Sequence, residues 1–117
     1  MKLDSPLFRL KHILERIEMI DLFMDCVSKK EFMENREKQE AVLRCFEIIG
    51  EAVNQLSKEF TKKHARVDWS NSVGLRIRAA HLYYSIDWNI VWDSYKNALP
   101  QFKQQIEKII AEEENKT

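Results

Sequence analysis

Residues 41–53 read Ala41-Val42-Leu43-Arg44-Cys45-Phe46-Glu47-Ile48-Ile49-Gly50-Glu51-Ala52-Val53. Within and beyond this stretch, Val42, Phe46, Ile49, Val53, Leu56 and Phe60 recur at alternating four and three spacing, the period of one face of an α-helix. Ala41, Cys45, Ile48 and Ala52 widen the stripe, and an apolar face that broad wants two packing partners. Gly50 lies inside it at a propensity cost of about 1 kcal/mol relative to Ala, which suggests that another backbone approaches closely there.

The same period organises the rest of the chain. A first helix runs from about Pro6 to Cys26, with Pro6 suited to the first turn and Leu10, Ile13, Ile17, Ile20, Met24 and Val27 on one face. A break covers Ser28 to Asn35 before the long second helix. Lys62, Lys63, His64 and Arg66 end that helix with positive charge, which suits the negative end of its dipole and reads as a solvated terminus. Asp68-Trp69-Ser70-Asn71 forms a capped turn into a short third helix, and Asp87 is a good N-cap for a fourth that presents Trp88, Val91, Trp92 and Tyr95 on one side, as core or interface. Leu99-Pro100 marks the next boundary. Phe102, Ile106, Ile109 and Ile110 give the last helix its apolar face, ahead of a Glu-rich tail from Glu112 to Thr117 that is expected to fray.

The expected architecture is an all-α antiparallel bundle of four to five helices. It forms a single domain over residues 1–117, with a core from about 7 to 111. Only two Gly and two Pro occur in 117 residues, too few for the frequent sharp turns of an all-β fold. The 44% apolar content suffices for a real core. With 19 Lys plus Arg against 19 Asp plus Glu, no global field draws the protein to nucleic acid or anionic membrane, so any such binding is local. Cys26 and Cys45 fall on apolar stripes and read as reduced core residues. No apolar run precedes the first charges, and nowhere do 18 uncharged apolar residues occur together, so a cytoplasmic protein without a membrane segment is expected.

Chemistry concentrates in Arg76-Ile77-Arg78-Ala79-Ala80-His81-Leu82-Tyr83. Positions five apart on a helix are about 140° around the axis but only about one and a half turns along it, so Arg76 and His81 can flank one phosphate-sized group. Elsewhere the signals are weak. His12, His64 and His81 lack metal-ligand spacing, and neither a Gly-rich phosphate loop nor a nucleophile elbow occurs, so no metal or cofactor is expected. Glu47 and Glu51 could pose as an acid–base pair but read more simply as a polar helix flank. Arg76 and Arg78 could equally be partners of nearby acids such as Asp87, and His81 a hydrogen-bonded core residue.

The wider framework weighs toward function. Arg9-Leu10-Lys11-His12-Ile13-Leu14, Ile48-Ile49-Gly50-Glu51-Ala52, Trp69, Gly74-Leu75-Arg76, His81-x-Tyr83, Asp87, Val91-Trp92 and Leu99-Pro100, in that order, closely resemble the HepT-like branch of the HEPN superfamily. The resemblance covers about Arg9 to Ile110. It implies a helical bundle that forms a two-fold homodimer and acts as a metal-independent endoribonuclease toxin of a type VII toxin–antitoxin system. The implied partner is a cognate minimal nucleotidyltransferase that silences the toxin by transferring AMP to the motif tyrosine. Carried onto this chain, the catalytic pair is Arg76 and His81 and the modified residue is Tyr83, with Arg78, Tyr84 and Asp87 as supporting candidates. Tyr84, adjacent to Tyr83, could itself be the modified phenol or could simply pack.

The chemistry is consistent with these residue types. Cutting RNA without a metal requires the 2′-hydroxyl to lose a proton, the leaving 5′-oxygen to gain one, and the phosphorane charge to be stabilised. One chain offers one suitable histidine, and a two-fold interface would supply the second. One departure stands out: Ile77 occupies the position after the motif arginine, where these ribonucleases commonly carry a polar residue such as Asn. An apolar side chain there cannot orient a phosphate or an imidazole. A second reading therefore stays open, that of a catalytically silent partner that docks a nucleotidyltransferase. A third is a structural dimer with the Trp88, Trp92 and Tyr95 stripe as its interface.

Overall fold

A computed structural model describes residues 5–80 and 86–116, and among them every regular element is helical. The elements are α1 (Pro6–Phe23), α2 (Lys29–Glu34), α3 (Arg36–Asn54), α4 (Lys58–Lys63), a 3₁₀ turn (Trp69–Asn71), α5 (Val73–Ala80), α6 (Trp88–Asp93), a π-helical turn (Ser94–Ala98) and α7 (Leu99–Glu114). Short polar caps punctuate the chain. Ser5, Ser28, Asn35, Ser57 and Asp87 each accept a backbone N–H in the first turn of the helix that follows, satisfying donors that would otherwise be orphaned.

Helix α3 is the centre of the structure. It packs on α1 along one side and on α5 along the other, which is the two-partner arrangement that its wide stripe requires. The α1–α3 pair is antiparallel: Lys38 Nζ at the start of α3 donates to Phe23 O at the end of α1, while Phe8 and His12 lie across from Gln55 and Ile48 at the other end. Helix α7 runs antiparallel to α1, tethered by Lys103–Asp21 at 3.1 Å and Lys11–Glu114 at 2.9 Å. Leu10, Ile13, Ile17, Ile20, Phe32, Val42, Phe46, Ile49, Ile106 and Ile109 are completely buried at the shared core.

Five local features depart from the sequence reading. Helix α1 ends at Phe23, and Cys26 beyond it adopts φ 59 and is exposed, so only Cys45 is a core cysteine. The expected break at 28–35 contains α2, whose Phe32 is buried and whose last carbonyls accept from the buried Gln39 amide. The stripe from Val42 to Phe60 is divided at 55–57, where Ser57 caps a new helix. Leu56 and Phe60 stay buried on either side, so the apolar period runs through the break undisturbed. The boundary read at Leu99-Pro100 is where α7 begins, with Pro100 in its first turn, but it is a change of winding and not an interruption of the helix. A π turn there lets the Leu99 N–H bond five residues back to Ser94 O, and this looser winding accommodates a proline without ending the helix. Finally, α7 stays helical through Glu114, and Glu112 and Glu113 are pinned by Arg66, Lys63 and His64.

At the α3–α5 crossing, backbone meets backbone. A Cβ placed on Gly50 would lie 2.6 Å from Gly74 O, and one on Gly74 would lie 2.7 Å from Gly50 N and 2.8 Å from Ile49 Cγ2. Gly50→Ala and Gly74→Ala should each lower stability by about 1–3 kcal/mol through overpacking, read as a drop in thermal midpoint. A neutral effect would mean that the helices separate freely.

The acidic end of α7 sets an acid limit. An Arg66 hydrogen bond holds the Glu112 carboxyl below its ordinary 4.5. Burial pushes Glu113 up, but hydrogen bonds from His64 and Lys63 outweigh it and leave that carboxyl low as well. Groups with lowered folded pKa values stabilise the fold above 4.5, and that contribution is lost as pH falls through the folded values. The thermal midpoint should therefore decline between about pH 5 and pH 3, and Glu113→Gln should flatten the decline. An unchanged slope in the variant would contradict the assignment.

Candidate functional site

Helix α5 carries the motif arginine, and its burial alternates within a single turn. Val73, Gly74 and Ile77 face inward, Ile77 with 2% exposure, whereas Arg76 is exposed and Arg78 half-buried. The inward face is held by α3 at the glycine crossing, where Arg78 Cβ also lies 3.3 Å from a Cβ placed on Gly50. The Arg76 guanidinium is thus carried on the outer face of a helix whose inner face is tightly fixed. Ile77 belongs to the core and does not share a surface with Arg76, so its apolar character fits its place. Asp87 is exposed and caps α6 by accepting the Asn89 N–H at 2.9 Å, as its sequence position suggested. His81, Tyr83 and Tyr84 lie outside the described residues.

The approach to α5 is built with unusual care. Trp69 is buried and donates its indole N–H to His64 O at 3.1 Å, with Phe60 and Phe102 rings around it. Trp69 O in turn accepts the Ser72 N–H, and Ser72 O accepts the Arg76 N–H at 3.0 Å. His64 has only 5% exposure, and its Nε2 donates to Glu113 Oε2 at 2.9 Å. Lys62, Lys63 and Arg66 are exposed, as a solvated helix end requires, but His64 is buried, and Lys63, His64 and Arg66 pair with the acidic end of α7. Sequence reading missed this pairing because the acidic partners lie in the last turn of the chain's final helix, which reads as a tail.

A cleft of about 190 Å³ lies between α1 and α3, lined by Phe8, Arg9, His12, Ile48, Glu51, Ala52 and Gln55. It brings together two of the segments on which the family resemblance rests, those around Arg9 to His12 and Ile48 to Ala52. Glu51 also stands 3.5 Å from Arg44 on the same helix. The aromatics of α6 and the π turn pack on α2 and on one another, with Trp88 and Tyr95 half-buried: Phe32 meets Trp88 at 6.3 Å and Trp92 at 5.8 Å, and Trp92 meets Tyr95 at 5.7 Å. Among the described residues no group of three His, Cys, Asp or Glu side chains is arranged to hold a metal, and no helix is long and apolar enough to cross a membrane.

Comparison with known proteins agrees with this layout. The family described as "Ribonuclease HepT-like" matches residues 13–109, a span that contains the α3–α5 crossing, the Trp69 turn and the whole Arg76 to Tyr83 motif. The chain is 32% identical to "Putative RNase TTE0752" of Caldanaerobacter subterraneus, over 95% of this chain and 99% of that protein. It is 35% identical to "Putative RNase MJ1216" of Methanocaldococcus jannaschii, over 89% and 86% of the two chains. It is 31% identical to "Probable ribonuclease HepT" of Thermococcus cleftensis, over 86% and 91%. No solved structure gives a significant match. With a family match spanning most of its length and relatives aligned almost end to end, the chain belongs to the HepT-like ribonuclease family.

Proposed function

We propose that this chain is a metal-independent endoribonuclease, the cytoplasmic toxin of a type VII toxin–antitoxin pair, working as a two-fold homodimer. The observation that carries the reading is the family match across 13–109, which encloses Arg76-x4-His81-x-Tyr83. In this mechanism one His81 takes the proton of the 2′-hydroxyl as its oxygen attacks the adjacent phosphorus. The 5′-oxygen leaves with a proton from the second His81, and a 2′,3′-cyclic phosphate remains. Arg76, exposed on α5, holds the phosphate oxygens as charge builds on them. The dimer supplies the second histidine, so the two motifs face a common groove across the bundle's two-fold axis.

Regulation follows from the neighbouring phenol. A cognate minimal nucleotidyltransferase transfers AMP from ATP to the Tyr83 oxygen, with pyrophosphate as the leaving group. The attached nucleotide, two positions from His81, then blocks the cleft and repels RNA. Arg78, Tyr84 and Asp87 are supporting positions. The alternative of a silent nucleotidyltransferase partner drew on Ile77, and with that side chain in the core the argument loses its force.

Two measurements test this. Purified wild type should cut a mixed RNA substrate in excess EDTA, leaving cyclic phosphate ends, and Arg76→Ala and His81→Ala should each lose about a hundredfold or more in rate. An intact substrate at high wild-type concentration would move the assignment to the silent partner. Separately, Ile77→Asn should cost about 2–4 kcal/mol of stability, because it replaces core volume with a buried amide, and should not raise activity. A more active and equally stable variant would show that position 77 serves the site.

A further inference from the structure

Glu113 and His64 are buried or nearly so, lie far apart in sequence, and are unused by the chemistry above. Their contact is the start of a continuous hydrogen-bonded path. Glu113 Oε2 accepts from His64 Nε2 at 2.9 Å, His64 O accepts from Trp69 Nε1 at 3.1 Å, Trp69 O accepts from Ser72 N at 3.2 Å, and Ser72 O accepts from Arg76 N at 3.0 Å. Rings brace the same path: Phe60 lies 4.7 Å from His64 and 6.4 Å from Trp69, and Trp69 stands edge-on to Phe102 of α7 at 6.4 Å. The charges around Glu113 are matched. Lys63 lies at 3.1 Å and Lys116 at 3.2 Å, while Arg66 holds the adjacent Glu112.

A fold-stabilising ion pair could sit anywhere on α7, yet this one closes on the residue whose carbonyl fixes the Trp69 turn, and that turn sets where α5 begins. A shift of α5 along its axis would displace the Arg76 guanidinium by the same amount. Misplacement of a phosphate-holding group by about 1 Å is enough to cost a large part of its catalytic effect. We propose that Glu113 and His64 are a positioning pair for Arg76, through which the C-terminal turn of α7 sets the placement of the helix that binds the scissile phosphate. The proposal rests on the ribonuclease reading of Arg76.

The test compares wild type with Glu113→Gln, His64→Phe and Lys103→Ala. The second variant keeps a ring against Phe60, and the third cuts a different α7 tether, the one to Asp21. RNA cleavage gives kcat and KM, and amide hydrogen exchange follows residues 72–80. The expected result is a kcat about tenfold lower in Glu113→Gln and His64→Phe with KM nearly unchanged, together with faster exchange confined to 72–80. Lys103→Ala should change neither, whatever it does to the thermal midpoint. Unchanged kcat in both pair variants of an active protein overturns the proposal, as does a kcat that merely tracks lost stability in all three. If wild type cuts no RNA, the ribonuclease reading fails by itself. Exchange then decides: faster exchange at 72–80 in Glu113→Gln sustains the coupling, and unchanged protection there refutes it.

Discussion

The contact between Gly50 and Gly74 governs the rest of the structure. Two helices approach so closely that neither can carry a side chain at the crossing, and this removes the freedom of α5 to slide or rotate on α3. Because α3 is also the surface on which α1 packs, one crossing ties the motif helix to the centre of the core. The described turns of α5 lie against α3, and helical stability in proteins comes mostly from such packing rather than from propensity. The order of α5 comes from packing, so its geometry is inherited from α3 rather than from its own sequence.

That inheritance explains how an exposed arginine can be held firmly. The residues on either side of Arg76 are committed elsewhere: Ile77 to the core, Ser72 and Trp69 to a hydrogen-bonded path, and Gly74 to the crossing. Exposure of the guanidinium and rigidity of its base are therefore compatible. The α7 end contributes from the other side, because the acidic turn that sequence patterning reads as loose is folded against Lys63, His64 and Arg66. Some of the opposite charges that cancel in the net count thus meet at one joint of the fold.

Much of this was legible in the residues themselves. The helical class, the broad face of α3, the close approach at Gly50, the Asp87 cap and the core positions of α1 and α7 all follow from period and capping chemistry. Two of the features that escaped leave the apolar period intact. The break at 55–57 preserves the spacing of Leu56 and Phe60, and the π turn preserves helical winding across Pro100, so neither alters the pattern that a sequence displays. The His64–Glu113 contact escaped because long-range pairing between charges has no periodic signature. For the candidate site, the motif singles out Arg76, and the structure shows it exposed on α5. The membership of Ile77 in the core could not be read, since a single apolar residue between two arginines reads as an interruption rather than as a face.

One consequence concerns spacing. An α-helix turns about 100° per residue, so the two-residue step from Gly74 to Arg76 carries the chain from the crossing to the outer face. Adding or deleting one residue between them would swing the guanidinium toward the packed interior, whatever its identity. The interval is therefore a phase constraint. The chain can change the chemistry of its outer face by substitution alone, but it cannot change the count of residues by which that face is reached.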